Sequence, residues 1–181
     1  MRPKRPRLQC FGYTGFYRYF LTFCTHFRWK VFTNPRTVAL VREQILSAAR
    51  AKQFAILAYV FMPDHVHLLV EGKTDDADLK GFASLAKQKS AFAYSRSYRL
   101  RLWQPSYHDR VIRDEECTWD VIRYIIDNPL RAGLVRDITA YPFLGSSVFD
   151  RDSLIEELLS QPTTDWDPER RVPAAEKTAR P

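Results

Sequence analysis

The stretch FMPDHVHLLVEG, residues 61–72, places two histidines one residue apart in an apolar run. In a β-strand, residues i and i+2 point to the same face, so His65 and His67 are expected side by side, with Val66 and Leu68 on the other face. Two neighbouring imidazoles are suited to bind one metal ion. They can equally be hydrogen-bonded to carboxylates or carbonyls at a sheet surface, and the pair alone leaves both interpretations open.

A second set of polar side chains lies in the segment DEECTWDVIRYIIDNP, residues 114–129. As a helix, this segment has an apolar stripe of valine and isoleucine, and Tyr124 and Asn128, four residues apart, share one border of that stripe. The carboxamide oxygen of asparagine is a hard ligand that suits Mg²⁺ or Mn²⁺. Taken singly, Tyr124 is also explained as a packing residue and Asn128 as a helix-end residue before proline.

The elements that must position these side chains are indicated by hydrophobic periodicity. Strands are predicted over 17–25, 54–61, 65–71 and 106–113, and helices over 36–53, 74–95 and 115–127. The first six elements have the order βαββαβ. We therefore predict an α+β, ferredoxin-like fold: an antiparallel sheet with helices on one face, followed by a C-terminal helix that carries Tyr124.

Capping residues predict where the three helices begin. Asn34 followed by Pro35 indicates the start of the first helix. Thr74 or Asp75 is predicted to cap the second helix, and Asp114 the third.

Basic residues are concentrated in two regions of a chain whose net charge is +7. Residues 1–30 carry seven Lys and Arg and no acid, and residues 80–113 carry eight against Asp109 alone. The second region also contains interleaved aromatic residues: Phe82, Phe92, Tyr94, Tyr98, Trp103 and Tyr107. Cations combined with stacking aromatics are typical of single-stranded nucleic acid binding, although a solvated basic helix with core aromatics has the same composition.

The length of 181 residues is that of one domain, and 45% hydrophobic residues suffice for a core. The three cysteines, Cys10, Cys24 and Cys117, lack CxxC spacing, which argues against a disulfide framework and a cysteine-built zinc site. No apolar run reaches the roughly 20 residues of a membrane helix, and the N-terminus lacks the pattern of a signal peptide. We therefore expect a cytoplasmic protein without a membrane partner.

Composition divides the chain into three segments. A basic arm is predicted over 1–10, one domain over 11–150, and a polar C-terminal tail over 151–181. The stretch DSLIEELLSQ, residues 152–161, indicates a short helix in the tail. The proline-rich remainder has the composition of a segment that is partly disordered until a partner orders it.

Four motifs in order along the chain resemble a known family. They are YVFMPDHVHLLVEG, LWQPSYHDRVIRDEE, YIIDNPLRAGLV and YPFLGSS. Together these motifs resemble the REP-associated tyrosine transposases, which belong to the single-tyrosine HUH transposase superfamily. The opening YFLTFCTHFRWKVF is also similar to the first strand of that family. The resemblance covers residues 8–150, and it implies that residues 11–150 form an HUH tyrosine transposase domain.

The resemblance implies a role for each matching residue. His65 and His67 match the two metal-binding histidines, and Tyr124 matches the nucleophile on a catalytic helix. Asn128 matches the polar residue one turn later that completes the metal site, where relatives in the wider superfamily often have glutamine. The implied cofactor is a divalent cation, Mg²⁺ or Mn²⁺.

The physical chemistry of such a site is consistent with DNA cleavage. A free tyrosine, with a pKa of about 10, is a weak nucleophile at neutral pH, and a cation on the scissile phosphate assists its in-line attack. The products are a 5′-phosphotyrosine and a 3′-OH. Because the new bond is itself a phosphodiester, a 3′-OH can attack it and rejoin strands without a nucleotide cofactor. One tyrosine forms one covalent intermediate at a time, so events at two DNA ends need a homodimer or sequential turnovers.

Single-stranded or hairpin DNA is the implied partner, since the family acts on repetitive extragenic palindromes. Phosphates would be held by cations and bases read where they are exposed. The predicted DNA-binding residues are Arg2, Lys4, Arg5 and Arg7 of the arm, and Lys80, Lys87, Lys89, Arg96, Arg99 and Arg101 of the second basic region.

Competing assignments remain at this point. Tyr107 is a rival nucleophile, but it lacks an amide ligand four residues later, and His108 is either a polar group near the metal or an ordinary strand residue. A non-cleaving protein that binds DNA hairpins would retain the same fold. A zinc-dependent hydrolase would use the same histidine pair, but the sequence has no HExxH motif.

Overall fold

The structure, a computed structural model, describes residues 13–113, 116–162 and 166–167. Its strands are β1 Arg18–Cys24, β2 Phe54–Met62, β3 His65–Gly72, β4 His108–Ile112 and β5 Leu144–Gly145. They form one sheet in the order β4-β1-β3-β2-β5, and every neighbouring pair is antiparallel. The connections from β1 to β2 and from β3 to β4 each contain a helix and skip one strand. This arrangement confirms the predicted ferredoxin-like βαββαβ sheet.

Helices α1 Pro35–Ala51 and α2 Leu79–Tyr98 cover one face of this sheet. Alternate residues of β1, namely Tyr19, Leu21 and Phe23, point to this face and are fully buried in its core. The helices contribute the apolar stripes that their periodicity predicts, including Val41 of α1 and Phe82 of α2. Both helices of the βαββαβ unit therefore lie on one side, as predicted.

The opposite face is covered by the C-terminal part of the chain. Helices α3 Thr118–Ile126, α4 Asn128–Arg131 and α5 Arg151–Ser160 follow β4, and β5 lies between α4 and α5. The second core joins Phe20 and Leu69 of the sheet to Ile122 of α3 and Leu154 of α5. The predicted domain boundary at residue 150 thus falls immediately before a helix that is packed on the domain. No described helix is both long and apolar enough to cross a membrane.

The first helix begins as predicted, whereas the second begins later. The Asn34 side chain accepts a hydrogen bond from the Arg36 amide at 2.9 Å, which confirms it as the cap of α1. Asp78, and neither Thr74 nor Asp75, caps α2, because its carboxylate accepts from the two amides Lys80 N and Gly81 N. The prediction at residues 74–75 was wrong because the chain first makes a turn from Thr74 to Ala77. Asp114, the predicted cap of the third helix, lies outside the described residues.

Candidate active site

His65 and His67 lie side by side on β3, on the face covered by α3. Their rings are nearly perpendicular, with centroids 4.6 Å apart and an angle of 80° between the planes. The two Nε2 atoms approach to 3.1 Å. His67 is 8% exposed and stacks on Phe20 of β1 at a centroid distance of 5.2 Å. The strand period that predicted a shared face therefore brings the same nitrogen of both rings to one point.

The other ring nitrogen of each histidine has its own partner. Asp64 Oδ1 accepts from His65 Nδ1 at 2.6 Å. Thr22 Oγ1 lies 2.9 Å from His67 Nδ1. The second contact follows from the sheet register, which places Thr22 of β1 directly opposite His67 of β3. A partner on Nδ1 orients the ring and directs the lone pair of Nε2 outward, as is typical of metal-binding histidines.

Both histidines are held neutral by their surroundings. Burial lowers the pKa of His65 from its ordinary value, and the hydrogen bond with Asp64 opposes that shift. Burial lowers the pKa of His67 much further, and the neighbouring His65 and the cations of Arg131 and Arg28 act in the same direction. A neutral imidazole is the form that binds a metal ion, so the pair is in its ligating state at neutral pH.

The separation of the two Nε2 atoms fits a divalent cation. Ligands about 2.1 Å from an octahedral ion and 90° apart are about 3.0 Å from each other, close to the observed 3.1 Å. Among the described residues, no group of three or more His, Cys, Asp or Glu side chains could hold a metal ion. The carboxamide oxygen of Asn128 is a donor of another type, one that Mg²⁺ accepts.

Tyr124 of α3 lies over the same part of the sheet as the histidines. Its ring centroid is 6.5 Å from that of His67 and 5.9 Å from that of Phe20. The guanidinium of Arg131 lies on the ring of Tyr124, 3.8 Å from its centroid, and also donates to the Tyr124 carbonyl at 3.2 Å. The tyrosine that lies about sixty residues from the histidine pair in sequence is thus packed against it in space.

Asn128 lies at the junction of α3 and α4. Its amide nitrogen donates to the carbonyls of Tyr124 at 2.8 Å and Ile125 at 3.3 Å. These bonds use the nitrogen of the carboxamide as donor, which leaves its oxygen as the atom able to accept or to ligate. Pro129 follows directly and has no backbone N–H. It cannot continue the hydrogen-bond ladder of α3, and α4 begins here as a separate helix.

Trp166 packs edge-to-face against Tyr124. Its ring centroid is 5.2 Å from that of Tyr124 and 6.0 Å from that of Phe20. Its indole nitrogen donates to Glu116 Oε1 at 2.9 Å, and Arg110 donates to the same oxygen at 2.5 Å. The predicted tail therefore contributes an aromatic side chain to the surroundings of the candidate nucleophile.

A cavity of about 460 Å³ opens beside Tyr124. Its other lining residues are Asp120, Arg123, Asp127, Arg131, Trp166 and Asp167. Burial raises the pKa of Asp127, although Arg123 and Arg131 oppose that shift. Charged side chains of α3 and α4 thus line a cavity through which a polar ligand can reach Tyr124.

The rival residues Tyr107 and His108 lie on different faces of the sheet. Tyr107 packs against the first core, with its ring 5.7 Å from that of Phe23, on the sheet face opposite His67. His108 is exposed on the edge strand β4, and the register places it on the same face as His67, with Thr22 between them. The position of Tyr107 argues against it as the nucleophile of this site.

The predicted DNA-binding cations of the second region lie on or after α2, which covers the face opposite the histidines. Two of them connect elements: Lys87 donates to the carbonyls of Gln104 and Ser106 at 2.8 Å, and Lys89 donates to Ser47 of α1 at 2.7 Å. Lys80, Arg96, Arg99 and Arg101 are exposed. Arg2, Lys4, Arg5 and Arg7 lie outside the described residues.

Several residues of the site carried no signal in the sequence. Thr22, Asp64, Arg131 and Trp166 lie in strand, turn, helix-end and tail positions where nothing in their spacing marks them as part of a site. Only Asp64 has a local hint, since it directly precedes His65. The other three reach the site through sheet register and helix packing, which depend on residues far away in the chain.

The family model described as transposase IS200-like matches residues 16–128, from the start of β1 to Asn128. This match covers more than half of the chain and includes the predicted nucleophile and metal ligands, Tyr124, His65, His67 and Asn128. The chain belongs to the IS200-like transposase family.

Two curated relatives are similar to this IS200-like chain. The REP-associated tyrosine transposase of Escherichia coli is 29% identical over 114 residues, which are 62% of this chain and 65% of the relative. A relative from Haemophilus influenzae is 31% identical over 110 residues, 55% of this chain and 61% of its own length. The match thus spans slightly less than two thirds of the length of each of these relatives.

A solved structure of a REP-associated tyrosine transposase bound to a REP hairpin has the same fold. It superposes with a TM-score of 0.69 at 21% identity, covering 95% of this chain and 99% of that one.

Proposed function

We propose that this transposase-family chain is a metal-dependent endonuclease and strand transferase that cuts single-stranded DNA beside a hairpin. The nucleophile is Tyr124, and the product is a 5′-phosphotyrosine intermediate with a free 3′-OH. His65, His67 and Asn128 hold the divalent cation, Mg²⁺ or Mn²⁺.

One observation carries this proposal: the convergence of the two Nε2 atoms to 3.1 Å beneath a tyrosine whose ring lies 6.5 Å from His67. A histidine pair of this geometry without a neighbouring nucleophile would fit any metal site. A tyrosine at this place without the pair would fit ordinary packing. Both together are what tyrosine-mediated phosphoryl transfer requires: a site for the phosphate and an attacking oxygen beside it.

When bound, the cation would polarise the scissile phosphate and orient it for in-line attack. The rest of the step belongs to the chain. Tyr124 Oη attacks phosphorus and loses its proton to solvent, while the bond from phosphorus to the 3′ oxygen breaks and that oxygen takes up a proton. Arg131 holds the tyrosine ring from its face, so that less freedom is lost on reaching the transition state.

Hairpin DNA is proposed as the substrate because both the E. coli relative and the structure with this fold are REP-associated, and the latter holds a REP hairpin. The net charge of +7 suits a polyanionic partner. The attack of a second 3′-OH on the phosphotyrosine would reverse the chemistry and join strands.

A covalent-adduct assay tests the proposal. Hairpin DNA with single-stranded flanks, labelled at its 3′ end so that the label stays on the fragment joined to Tyr124, is incubated with protein and Mn²⁺ and run on a denaturing protein gel. We expect a labelled band at the mass of protein plus DNA that disappears in Tyr124→Phe and in EDTA. Tyr107→Phe is the matched control, since it removes a hydroxyl from the other sheet face, and it should retain the band.

An adduct formed by Tyr124→Phe would overturn the assignment of the nucleophile. Tight hairpin binding by the unaltered protein with no adduct in either Mg²⁺ or Mn²⁺ would instead favour a non-cleaving DNA-hairpin-binding protein.

A further inference from the structure

The segment after β1, residues 26–30 with the sequence HFRWK, exposes a cluster of aromatic rings. Phe27 is 74% exposed and Trp29 43% exposed. Their ring centroids are 5.9 Å apart, and His26 lies 4.2 Å from Phe27 and 5.5 Å from Trp29. The segment, called the HFRWK loop below, carries Arg28 and Lys30 and no acid. Exposed rings interleaved with cations are the surface that unpaired bases stack on.

The loop is held in an unusual backbone conformation. Phe27 and Arg28 both have left-handed backbones, with φ of 50° and 59°. This conformation is unfavourable for residues with a side chain, so it persists only where surrounding contacts enforce it. The enforcing residue is Thr25, fully buried, whose hydroxyl lies 2.8 Å from the Trp29 carbonyl and 2.9 Å from the Asp64 carbonyl. The fold therefore holds the Phe27 side chain exposed to solvent, although the left-handed backbone of this residue costs free energy.

The HFRWK loop is joined directly to the candidate metal ligands. Arg28 Nε forms an ion pair with Asp64 Oδ2 at 2.8 Å, and the other oxygen of Asp64 accepts from His65. The loop begins where β1 ends, and the last residue of β1, Cys24, pairs with His65 in the sheet. Three residues of chain span at most about 10 Å, so Phe27 is limited to the immediate surroundings of the site.

We infer that the HFRWK loop is a stacking platform for the unpaired bases next to the scissile phosphate, with Phe27 and Trp29 as the stacking rings. The inference rests on the proposed function, since it assigns the position of the strand that Tyr124 would attack. A single strand is chosen over duplex DNA because stacking needs free base faces. It is chosen over a protein partner because the loop is basic and continuous with a phosphate-binding site.

Binding measurements without cleavage test the platform. Fluorescence anisotropy at fixed salt, in EDTA, compares three DNA probes: a hairpin with a flank of about eight thymidines, the same hairpin with an abasic flank, and the hairpin without a flank. We expect Phe27→Leu to weaken binding of the thymidine flank about 5- to 100-fold. Its effect on the other two probes should be below about twofold, because neither presents a base to stack.

Phe16→Leu is the matched control. Phe16 is 62% exposed, but it precedes β1, whereas the HFRWK loop follows the other end of that strand. Phe16→Leu should bind all three probes as the unaltered protein does. Phe27→Tyr, which keeps the flat ring, should restore binding of the thymidine flank, and thermal unfolding of each variant verifies that it is folded.

The outcomes separate this inference from the proposed function. Equal affinity of Phe27→Leu and the unaltered protein for the thymidine flank overturns the platform. Equal weakening on all three probes also overturns it, since the contact would then be with the hairpin. If the unaltered protein binds no probe yet is folded, the proposed DNA-cutting function fails together with the platform.

Discussion

Thr22→Val tests whether the partner of His67 tunes metal binding. The substitution keeps the β-branched shape in the strand but removes the hydroxyl that lies 2.9 Å from His67 Nδ1. To bind a cation through Nε2, a neutral His67 must carry its proton on Nδ1, and that N–H must find an acceptor. Thr22 Oγ1 is the acceptor that the sheet register supplies.

The expected loss follows from this proton. In Thr22→Val, the metal-bound form leaves a buried N–H of His67 without a partner, which costs about 1–3 kcal/mol. The metal-free form escapes the penalty, because the proton can move to Nε2 and be donated to His65 at 3.1 Å. The penalty therefore falls on binding, and we expect the affinity for Mn²⁺ to fall by about 10- to 100-fold.

Isothermal titration of the metal-free protein with Mn²⁺ measures the effect. Thr37→Val is the matched control, because it removes the same hydroxyl from another threonine: Thr37 donates a 2.9 Å hydrogen bond to the Tyr98 hydroxyl between α1 and α2, away from His67. Thr22→Ser, which restores a hydroxyl, should recover most of the affinity. The unfolding temperature of each variant shows whether a loss of Mn²⁺ affinity is caused by unfolding of the protein.

The reasoning is refuted if Thr22→Val binds Mn²⁺ within about twofold of Thr37→Val while both remain folded. That result would mean that His67 is oriented by packing on Phe20 alone, or that it is not a ligand.

Three further predictions concern other parts of the molecule. Arg131→Ala should slow adduct formation about 2- to 30-fold in single-turnover assays, because the cation no longer holds the ring of Tyr124. Gly72→Ala should lower the free energy of unfolding in urea by about 1–3 kcal/mol, because its Cβ would overlap the Gly15 carbonyl oxygen. Burial lowers the pKa of Lys87 from 10.5 to about 8, so its side chain loses its proton more readily in the folded protein than in the unfolded one. The unfolded state therefore binds more protons between these values, so the stability of the unaltered protein relative to Lys87→Met should rise with pH from about 8 to 10.5.

Each of these predictions has a control in the same chain. Arg131→Lys keeps the charge and should lose less activity than alanine; equal losses would argue against a role for the cation. Gly133→Ala adds a Cβ that meets no atom within 4 Å, so its loss reflects only the left-handed backbone of Gly133, with φ of 67°. Gly72 has no such backbone, and a loss in Gly72→Ala smaller than that of Gly133→Ala would contradict the overlap. Lys80→Met removes an exposed lysine of the same helix and controls for the loss of one positive charge. An equal stability difference between the unaltered protein and Lys87→Met at pH 8 and pH 10.5 would refute the effect of burial on Lys87.

Much of the fold follows from local patterns. The order of elements, the cap at Asn34 and the shared face of His65 and His67 depend on neighbouring residues and on periods of 2 and 3.6, which a sequence displays directly. The start of α2 was misplaced because Thr74, Asp75 and Asp78 are all plausible caps by type. The turn from Thr74 to Ala77, which the sequence pattern does not show, places the carboxylate of Asp78 next to the first amides of α2.

The role of individual cations could not be predicted from composition. Lys87 was assigned to DNA by its position in a basic region, whereas its ammonium binds the carbonyls of Gln104 and Ser106. The HFRWK loop combines aromatic rings with cations, but the exposure of its rings and the ion pair of Arg28 with Asp64 appear only in the fold, where the buried Thr25 hydroxyl binds the carbonyls of Trp29 and Asp64.

The sequence by itself determined which residues are able to do chemistry and on which kind of element each lies. The tertiary structure alone decided which of them meet. Tyr124 reaches the histidines because α3 packs on the face opposite α1 and α2, and Thr22 reaches His67 because β1 pairs with β3 in one register. Face and register are set by the burial of apolar surface between distant segments, and this long-range term is absent from any local pattern.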